Sequence, residues 1–384
     1  MINIKEKHNC CGCSACVSIC GRSAIELKED QEGFLYPSIN EEDCVDCGLC
    51  DRVCPILRYD EKRTSQTKPM IYAVHHRDSV IWRTSSSGGV FSALADYVLS
   101  QHGCVFGAAY NNGFQVTHIK IEDKEHVKAL RGSKYVQSNT TGIYEKVRAE
   151  LRSGRLVLFS GTPCQVEGLK GFLLKHYDNL ITVDLVCHCV ASPKIFSDYI
   201  ELLHRKKGGR IRTINMKDKT LGWGNQKIRI DFEDGTTWFN NPETNLWGEL
   251  FYSQLISRPS CHMCRFANLE RPGDITIGDF WGIERSHPTF HDRRGISLVL
   301  LNTDKGIKVF DPVKESCNYI SCIEDECLQP SLLRPVAPSL KRDMFWSYYQ
   351  KHSFRQTCVR FLHYGMRNQI KNRFIDLLRA IGLR

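Results

Sequence analysis

The 384-residue chain has no long apolar run. Its longest strand-like runs, such as residues 156–159 and 296–301, fall far short of the roughly 18 uninterrupted apolar residues of a membrane-spanning helix. Residues 1–8 alternate charged and apolar side chains and contain no apolar core of a signal peptide. Acidic side chains are scarce near the other end, where residues 341–384 hold ten Lys and Arg against two Asp. We therefore expect a cytoplasmic protein with a basic tail.

Cysteine, in contrast, is abundant, with nineteen residues. Because cytosolic reductants oppose stable disulfides, clustered cysteines in that compartment indicate metal binding or redox chemistry. Three iron–sulfur clusters of about −2 each would lower the formal net charge from +9 to about +3. The excess of Lys and Arg is thus weak support for a nucleic-acid partner, and we expect none.

One cysteine spacing occurs twice near the N-terminus. Both copies follow C-x2-C-x2-C-x3-C, at Cys10, Cys13, Cys16 and Cys20 and again at Cys44, Cys47, Cys50 and Cys54. In bacterial ferredoxins the first three cysteines of each copy hold one 4Fe–4S cluster, and the fourth reaches the other cluster. The spacing predicts two such clusters, the first on Cys10, Cys13, Cys16 and Cys54 and the second on Cys44, Cys47, Cys50 and Cys20.

Two alternatives remain open for this segment. Zinc knuckles would also use four cysteines, although zinc prefers two pairs of ligands separated by a spacer. Cys11 is an additional thiol in the first loop, either a bystander or a competitor of Cys10 as ligand. Short strands are expected at residues 24–27 and 34–37, with a turn near Gly33.

Two loops beyond a polar linker at residues 61–69 have the composition of cofactor-binding turns. Ser86, Ser87, Gly88 and Gly89 precede a helical pattern that starts at Val90, and a helix N-terminus favours an anion. An ordinary helix cap with close packing explains the same residues equally well. Gly132, Ser133, Lys134 and Tyr135 combine glycine, hydroxyls, a cation and an aromatic ring, which suits the phosphate and ring of a cofactor.

Further cysteines follow predicted strands. Cys164 comes after the apolar run 156–159, Cys187 and Cys189 come after 181–186, and Cys261 and Cys264 form a later C-x2-C pair. Ligands collect at the carboxyl edge of open α/β sheets. We therefore expect a third four-cysteine site made of Cys164, Cys187, Cys261 and Cys264, with Cys189 as the substitute for Cys187 and zinc as the competing metal. The remaining cysteines, Cys104, Cys317, Cys322, Cys327 and Cys358, are expected to be buried thiols.

At these motifs the sequence resembles the coenzyme F420 hydrogenase/dehydrogenase beta-subunit family in its bacterial form with a fused ferredoxin domain. The resemblance spans residues 71–336 and rests on Ser87-Gly88-Gly89, Gly132-Ser133-Lys134-Tyr135, Gly161-Thr162-Pro163-Cys164-Gln165, Asp184-Leu185-Val186-Cys187-His188, Cys261-x2-Cys264 and Gly278-Asp279-Phe280-Trp281-Gly282. It implies an FAD-binding core with its own iron–sulfur cluster. A glycine usually follows Cys-His in the family, and Cys189 takes its place here.

The expected fold class is α+β: a ferredoxin-type module (1–60), an α/β flavin-binding core in two parts (70–155 and 156–338) and a basic helical tail (339–384). In residues 367–383 the apolar side chains Ile370, Phe374, Leu377, Leu378 and Ile381 recur at helical spacing. This pattern fits either a helix packed on the domain or one lying on the inner face of an anionic membrane, in peripheral contact.

Together these features predict a relay. A reduced ferredoxin or flavodoxin-type carrier, or a partner redox subunit, would supply electrons to the N-terminal clusters, which pass them through the third cluster to FAD and on to a small-molecule or glycan-precursor substrate. His188 or Asp279 would deliver the proton. The alternatives are a non-catalytic electron-transfer subunit docked to a catalytic partner, or a zinc-stabilised scaffold.

Overall fold

A computed structural model describes residues 2, 4, 6–59 and 68–365. Its helices are α1 (Ala15–Ile19), α2 (Leu49–Val53), α3 (Ser79–Thr84), α4 (Val90–Ser100), α5 (Val127–Leu130), α6 (Ile143–Arg152), α7 (Pro163–Leu173), α8 (Pro193–Lys207), α9 (Pro242–Tyr252), α10 (Ile283–Ser286), α11 (Asp304–Val313), α12 (Glu324–Cys327), α13 (Arg342–Tyr349) and α14 (Phe354–Phe361). Its strands are β1 (Ile25–Glu29), β2 (Leu35–Ile39), β3 (Met70–His76), β4 (Cys104–Tyr110), β5 (Val116–Ile121), β6 (Val157–Gly161), β7 (Leu180–Leu185), β8 (Ile211–Asp218), β9 (Lys227–Phe232), β10 (Thr237–Phe239), β11 (Ile275–Asp279), β12 (Ser297–Leu301) and β13 (Cys317–Cys322).

The N-terminal module is built from two similar halves. Each half has a cysteine loop that turns through a left-handed residue, Ser14 (φ 65) or Gly48 (φ 69), and enters a five-residue helix, α1 or α2. Between the halves β1 and β2 pair antiparallel, with Ile25 opposite Ile39 and Glu29 opposite Leu35. The expected strands and turn are therefore confirmed.

The large sheet has eight strands in the order β13-β3-β12-β11-β7-β6-β4-β5. Four adjacent strands, β11, β7, β6 and β4, run parallel. Strands β6 and β12 are buried along their whole length, as expected for apolar runs covered on both faces. The expected segments 70–155 and 156–338 both supply strands to this sheet, and their division into two domains stays a prediction.

A second apolar core surrounds a small antiparallel sheet, β8-β9-β10. Helices α8 and α9 meet there through Phe196, Tyr199 and Trp247. The ring centroid of Trp247 lies 4.8 Å from that of Phe196 and 5.4 Å from that of Tyr199. Helices α13 and α14 add Phe345, Trp346 and Cys358 to the same core. The part of the expected tail that the structure describes is therefore packed on the body.

Two glycines of α7 allow the N-terminal module to lie directly on the body. A Cβ at Gly168 would sit 2.8 Å from the Sγ of Cys13, and one at Gly171 would sit 2.4 Å from the carbonyl oxygen of Val53. The two glycines are three residues apart and share a helix face. This glycine face brings the cysteine loops within reach of the first turn of α7, where Cys164 lies.

Two expectations concern residues that the structure does not describe. The helical pattern at 367–383, with its membrane contact, and most of the linker at 61–69 lie outside the described residues. In the part of the chain that is described, no helix combines the length and hydropathy that crossing a bilayer demands.

Candidate redox site

The four thiols predicted to hold the first cluster are brought together. Cys13, Cys16 and Cys54 are buried, and a small cavity between them is also lined by Cys10. Burial, followed by the charges of Cys10 and Cys54, raises the pKa of Cys16 to about 12. Neighbouring thiols resist ionisation because their negative charges would repel one another. They become thiolates when they bind a metal, because the metal charge offsets this repulsion.

The second predicted group lies nearer the surface. Cys20 and Cys50 are partly buried against Cys16 and Cys54, whereas Cys47 is exposed. The backbone N–H of Ile2 donates to the Sγ of Cys50 at 3.3 Å. A cluster bound to these thiols would approach solvent at the exposed Cys47.

The third predicted group assembles at the carboxyl edge of the central strands. Cys164 follows β6 and Cys187 follows β7, and these neighbouring parallel strands place both thiols at one edge. Burial raises the pKa of the Cys187 thiol, and the charges of Cys261, Cys164 and Cys264 are the next largest causes. The four thiols therefore lie close enough for their charges to interact.

Cys189 has different surroundings from Cys187. It is 6% exposed and belongs to the apolar core around α8 and α9, and its Sγ accepts a hydrogen bond from the Oγ of Ser257 at 3.4 Å. Of the other three thiols in the third group, Cys261 is the one whose charge acts on it. This geometry favours Cys187 as the ligand, and the choice stays a prediction.

Cys11 lies between the first and third groups. The side chain of this buried thiol interacts with both Cys13 and Cys164. Cys13 belongs to the first predicted group, and Cys164 belongs to the third. Cys11 therefore connects Cys13 with Cys164, which are 151 residues apart in sequence.

A buried arginine binds the same junction. Arg258 is fully buried, and its guanidinium donates to the carbonyl oxygens of Cys10 (2.8 Å) and Leu35 (3.0 Å) and to Oε1 of Gln137 (2.8 Å). Its Nη2 also lies 3.5 Å from the Sγ of Cys10. A fixed positive charge thus lies beside a predicted cluster ligand, and no sequence motif indicated it.

Zinc is the competing metal at the thiol groups. Tetrahedral zinc with Zn–S bonds of about 2.3 Å holds its sulfurs about 3.8 Å apart. Among the described residues, the one group of three or more His, Cys, Asp and Glu ligand atoms within 4.8 Å of one another is His287, Cys322 and Glu326, outside all three thiol groups. No three thiols of the described residues meet this limit, and the metal of the third group stays a prediction.

A cavity of about 490 Å³ opens beside the third group. Both predicted loops line it, through Ser86, Ser87, Gly89 and residues 132–135, and so do Cys187, His188, Cys189 and Asp279. Its volume lies within the range of about 300–1,000 Å³ that is usual for cofactor pockets. Helix α4 begins at its wall after Gly89, which has a φ of 94° and leaves the first N–H groups without a side-chain cap.

Within the serine-rich loop the residues have distinct roles. The Oγ of Ser86 accepts from the backbone N–H of Ser133 at 2.8 Å and joins the two cavity loops. Gly88 is not part of the cavity lining, and a Cβ on it would sit 2.1 Å from the carbonyl oxygen of Val74. Position 88 therefore requires glycine because the backbone of β3 packs against it. Position 89 favours glycine because of its left-handed φ at the start of α4.

The second loop is stabilised by its own lysine. Lys134 is buried, and its ammonium donates to the carbonyl oxygens of residues 129–132 at 2.9–3.2 Å. These carbonyls already occupy the ammonium, which argues against a phosphate contact. The role of Lys134 as a phosphate ligand stays a prediction. Tyr135 adopts a left-handed φ of 45°, and its ring centroid lies 4.6 Å from that of Phe251. Strained backbone of this kind clusters at functional sites.

The two predicted proton donors differ in their partners. The Nε2 of His188 lies 2.8 Å from the amide nitrogen of Gln254, which fixes the ring, and burial lowers the pKa of His188. Asp279 forms an ion pair with Lys217 and accepts from the indole N–H of Trp223 at 2.9 Å. Both of its carboxylate oxygens are thus occupied, and the geometry favours His188 over Asp279. Gln254 and Lys217 carried no sequence signal, because long-range packing brings them to the site.

Two family models match parts of this chain. Residues 154–324 match the family described as the C terminus of the beta subunit of coenzyme F420 hydrogenase/dehydrogenase, and residues 9–56 match the 4Fe-4S dicluster domain. These matches confirm the family resemblance and the iron–sulfur module.

Two curated relatives are similar over most of their length. The F subunit of the F(420)H(2) dehydrogenase from Methanosarcina mazei is 19% identical, over 80% of this chain and 82% of the relative. An uncharacterised protein of Methanocaldococcus jannaschii is 22% identical, over 75% and 85%. Among solved structures, a chain from a xenon-derivatised F420-reducing [NiFe] hydrogenase complex of Methanosarcina barkeri aligns with a TM-score of 0.47 and 18% identity, over 78% of this chain and 95% of that one.

Proposed function

We propose that this chain, which joins a 4Fe–4S dicluster domain to a C-terminal domain of the F420 hydrogenase/dehydrogenase beta-subunit family, is an iron–sulfur flavoprotein oxidoreductase. Electrons enter at the N-terminal clusters, pass to a third cluster and reach FAD in the cavity. The observation that carries the proposal is the position of Cys187, which lies within charge interaction of Cys164, Cys261 and Cys264 and also lines the cavity.

The order of the relay follows from the thiol contacts. Cys47 is exposed, which suits the second cluster to receive electrons from outside. Cys50 and Cys16 are close enough for their charges to interact, so the second cluster adjoins the first. Cys11 then connects Cys13 with Cys164, so the first cluster adjoins the third.

The cavity supports a flavin by its size and by its wall. Ser86 and the uncapped start of α4 offer O–H and N–H donors to a phosphate, whereas Ser87 donates its O–H to the carbonyl oxygen of Ile296 at 2.6 Å. Tyr135 and Phe251 offer an aromatic wall. FAD suits this position because it accepts electrons singly and releases them in pairs. His188, held by Gln254, lies on the same wall and is the group we assign to proton delivery.

The substrate approaches from the open side of the cavity. Tyr252 and Trp281 line it with 61% and 37% of their surface exposed, and Trp281 stacks on Trp223 at 4.6 Å. These aromatic faces suit a planar ring or a sugar face, so the proposed substrate is a small molecule or a glycan precursor. The names of the relatives make reduced coenzyme F420 the first compound to test.

A second candidate function is a non-catalytic electron-transfer subunit docked to a catalytic partner. The observation that favours it is exposed apolar surface on the cysteine loops: Val45, two residues before the exposed Cys47, is 62% exposed, and Leu57, three residues after Cys54, is 58% exposed. Exposed apolar side chains beside an electron-transfer centre suit a protein partner. A ferredoxin or flavodoxin-type carrier would use the same surface transiently.

The test is anaerobic purification followed by counts of iron, sulfide and flavin per chain. About twelve iron atoms and one FAD per chain support the proposal. About eight iron atoms would rule out the third cluster, and absence of flavin would rule out the FAD.

Cys11→Ala is expected to keep the iron content of the wild type and to slow the reoxidation of the first cluster. Rapid-freeze spectroscopy measures this reoxidation. Loss of about four iron in this variant would instead make Cys11 a ligand.

Turnover separates the two candidate functions. The enzyme is expected to oxidise or reduce a cavity ligand by itself with an artificial one-electron carrier. A chain that is fully loaded with iron and flavin but turns over only after addition of a partner protein would favour the subunit role.

A further inference from the structure

Three side chains outside the thiol groups and the cavity converge at the edge of the large sheet. His287 follows α10, Cys322 ends the edge strand β13, and Glu326 lies on α12. Their ligand atoms all lie within 4.8 Å of one another, and Nε2 of His287 is 3.1 Å from Oε1 of Glu326. These residues come from three different elements, which the fold brings to one place.

The contacts of the imidazole are not those of a simple hydrogen bond. Nε2 of His287 is buried from solvent, and within the described part of the chain no hydrogen-bond partner is aligned with it, although the carboxylate is close. Oε2 of Glu326 accepts from the backbone N–H of Ile323 at 2.9 Å, which orients Oε1 toward His287. An imidazole and a carboxylate that are close but not aligned along an N–H axis suit two ligands directed at a common third atom.

We propose that His287, Cys322 and Glu326 form a zinc site. Imidazole nitrogen, thiolate sulfur and carboxylate oxygen are all established zinc ligands. Bonds of about 2.0–2.3 Å in tetrahedral geometry place such ligands about 3.4–3.6 Å apart, so small side-chain movements close the site. Binding releases the Cys322 proton to solvent, and water completes the fourth position.

The position of the triad gives the zinc a structural role. Helix α10 comes directly after Asp279 and Trp281, which line the cavity. Helix α12 comes directly before residues 329–331, which line the same cavity, and the amide of Gln329 donates to the carbonyl oxygen of Asp279 at 3.0 Å. A zinc ion between α10 and α12 would therefore cross-link the two segments that form this part of the cavity wall.

The test adds zinc to the cluster-loaded holoprotein in metal-free buffer and counts zinc and iron per chain. We expect one tightly bound zinc in the wild type. His287→Ala, Cys322→Ser and the isosteric Glu326→Gln should each weaken zinc binding by about tenfold or more. Iron content should not change, and it also reports that the variants fold. His291→Ala and Glu324→Gln, on the same two segments but outside the triad, should bind zinc as the wild type does.

X-ray absorption at the zinc edge identifies the ligands. One sulfur with two or three nitrogen or oxygen neighbours supports the triad. A shell of sulfur alone, or zinc that persists in the three variants, would place the ion in the cysteine groups and overturn the proposal. So would a wild type that retains no zinc, which would leave His287 and Glu326 as an ion pair. None of these outcomes bears on the cluster and flavin counts, so the proposed relay is tested separately.

Discussion

Replacement of Arg258 tests the electrostatics of the predicted first cluster. Its Nη2 is 3.5 Å from the Sγ of Cys10, and the side chain is fully buried. A positive charge and a hydrogen bond at a cluster sulfur stabilise the reduced state, which carries one more negative charge. Arg258→Met removes both and keeps an unbranched side chain, so we expect a more negative potential.

The magnitude follows from Coulomb's law. At an effective dielectric constant of about 20, two unit charges separated by the 3.5 Å distance interact by about 4.7 kcal/mol. If the added electron spreads evenly over four ligand corners, about a quarter acts at Cys10, or about 1.2 kcal/mol. At 59 mV per tenfold change for one electron, these limits give a shift of about 50–200 mV.

The assay is an anaerobic redox titration of the holoprotein, monitored by electron paramagnetic resonance. Arg258→Lys is the matched control, because it keeps the charge and loses the fork of hydrogen bonds; its shift should be less than half as large. A Met variant with full iron content and a potential within about 20 mV of the wild type, or a more positive one, would refute the electrostatic argument.

Further predictions concern the third group, the buried ion pair and a buried histidine. Cys187→Ala should lower the iron content by about four per chain and Cys189→Ala should not; the reverse result would move the ligand to Cys189. Asp184 and Arg271 are both buried and 2.7 Å apart, so Asp184→Ala should destabilise the fold by about 3–5 kcal/mol in urea titrations, and a loss under about 1 kcal/mol would contradict this. Burial lowers the pKa of His118 to about 4. Since the unfolded state takes up this proton first, its contribution is complete above about pH 6.5 and is lost as the pH falls toward 4, by about 2 kcal/mol at pH 5. His118→Gln should flatten this part of the stability profile, and an unchanged slope would show that other groups cause it.

Much of the fold followed from local patterns. Apolar runs at residues 156–159, 181–186 and 296–301 predicted strands that the structure contains as β6, β7 and β12. Such runs identify buried strands because both faces of a parallel sheet are covered. The same pattern could not predict that β3 lies between β13 and β12, since strand order depends on contacts between distant segments.

The cofactor loops illustrate the same limit for single residues. Gly88 and Gly89 are adjacent and were interpreted together, yet Gly88 packs against Val74 and Gly89 starts α4 at the cavity. Lys134 carried the composition of a phosphate site, but its ammonium is held by backbone carbonyls. Composition identifies the loop, whereas the direction of each side chain is decided by what packs against it.

The sequence by itself determined the iron–sulfur module, because its ligands are two or three residues apart and their spacing encodes the loops that hold them. Tertiary structure alone decided how that module meets the rest of the protein. The sheet order and the glycine face of α7 bring Cys11 to Cys164 and Arg258 to Cys10, and they separate the surroundings of Cys187 from those of Cys189. Contacts between residues more than a hundred positions apart depend on packing, which no local spacing records.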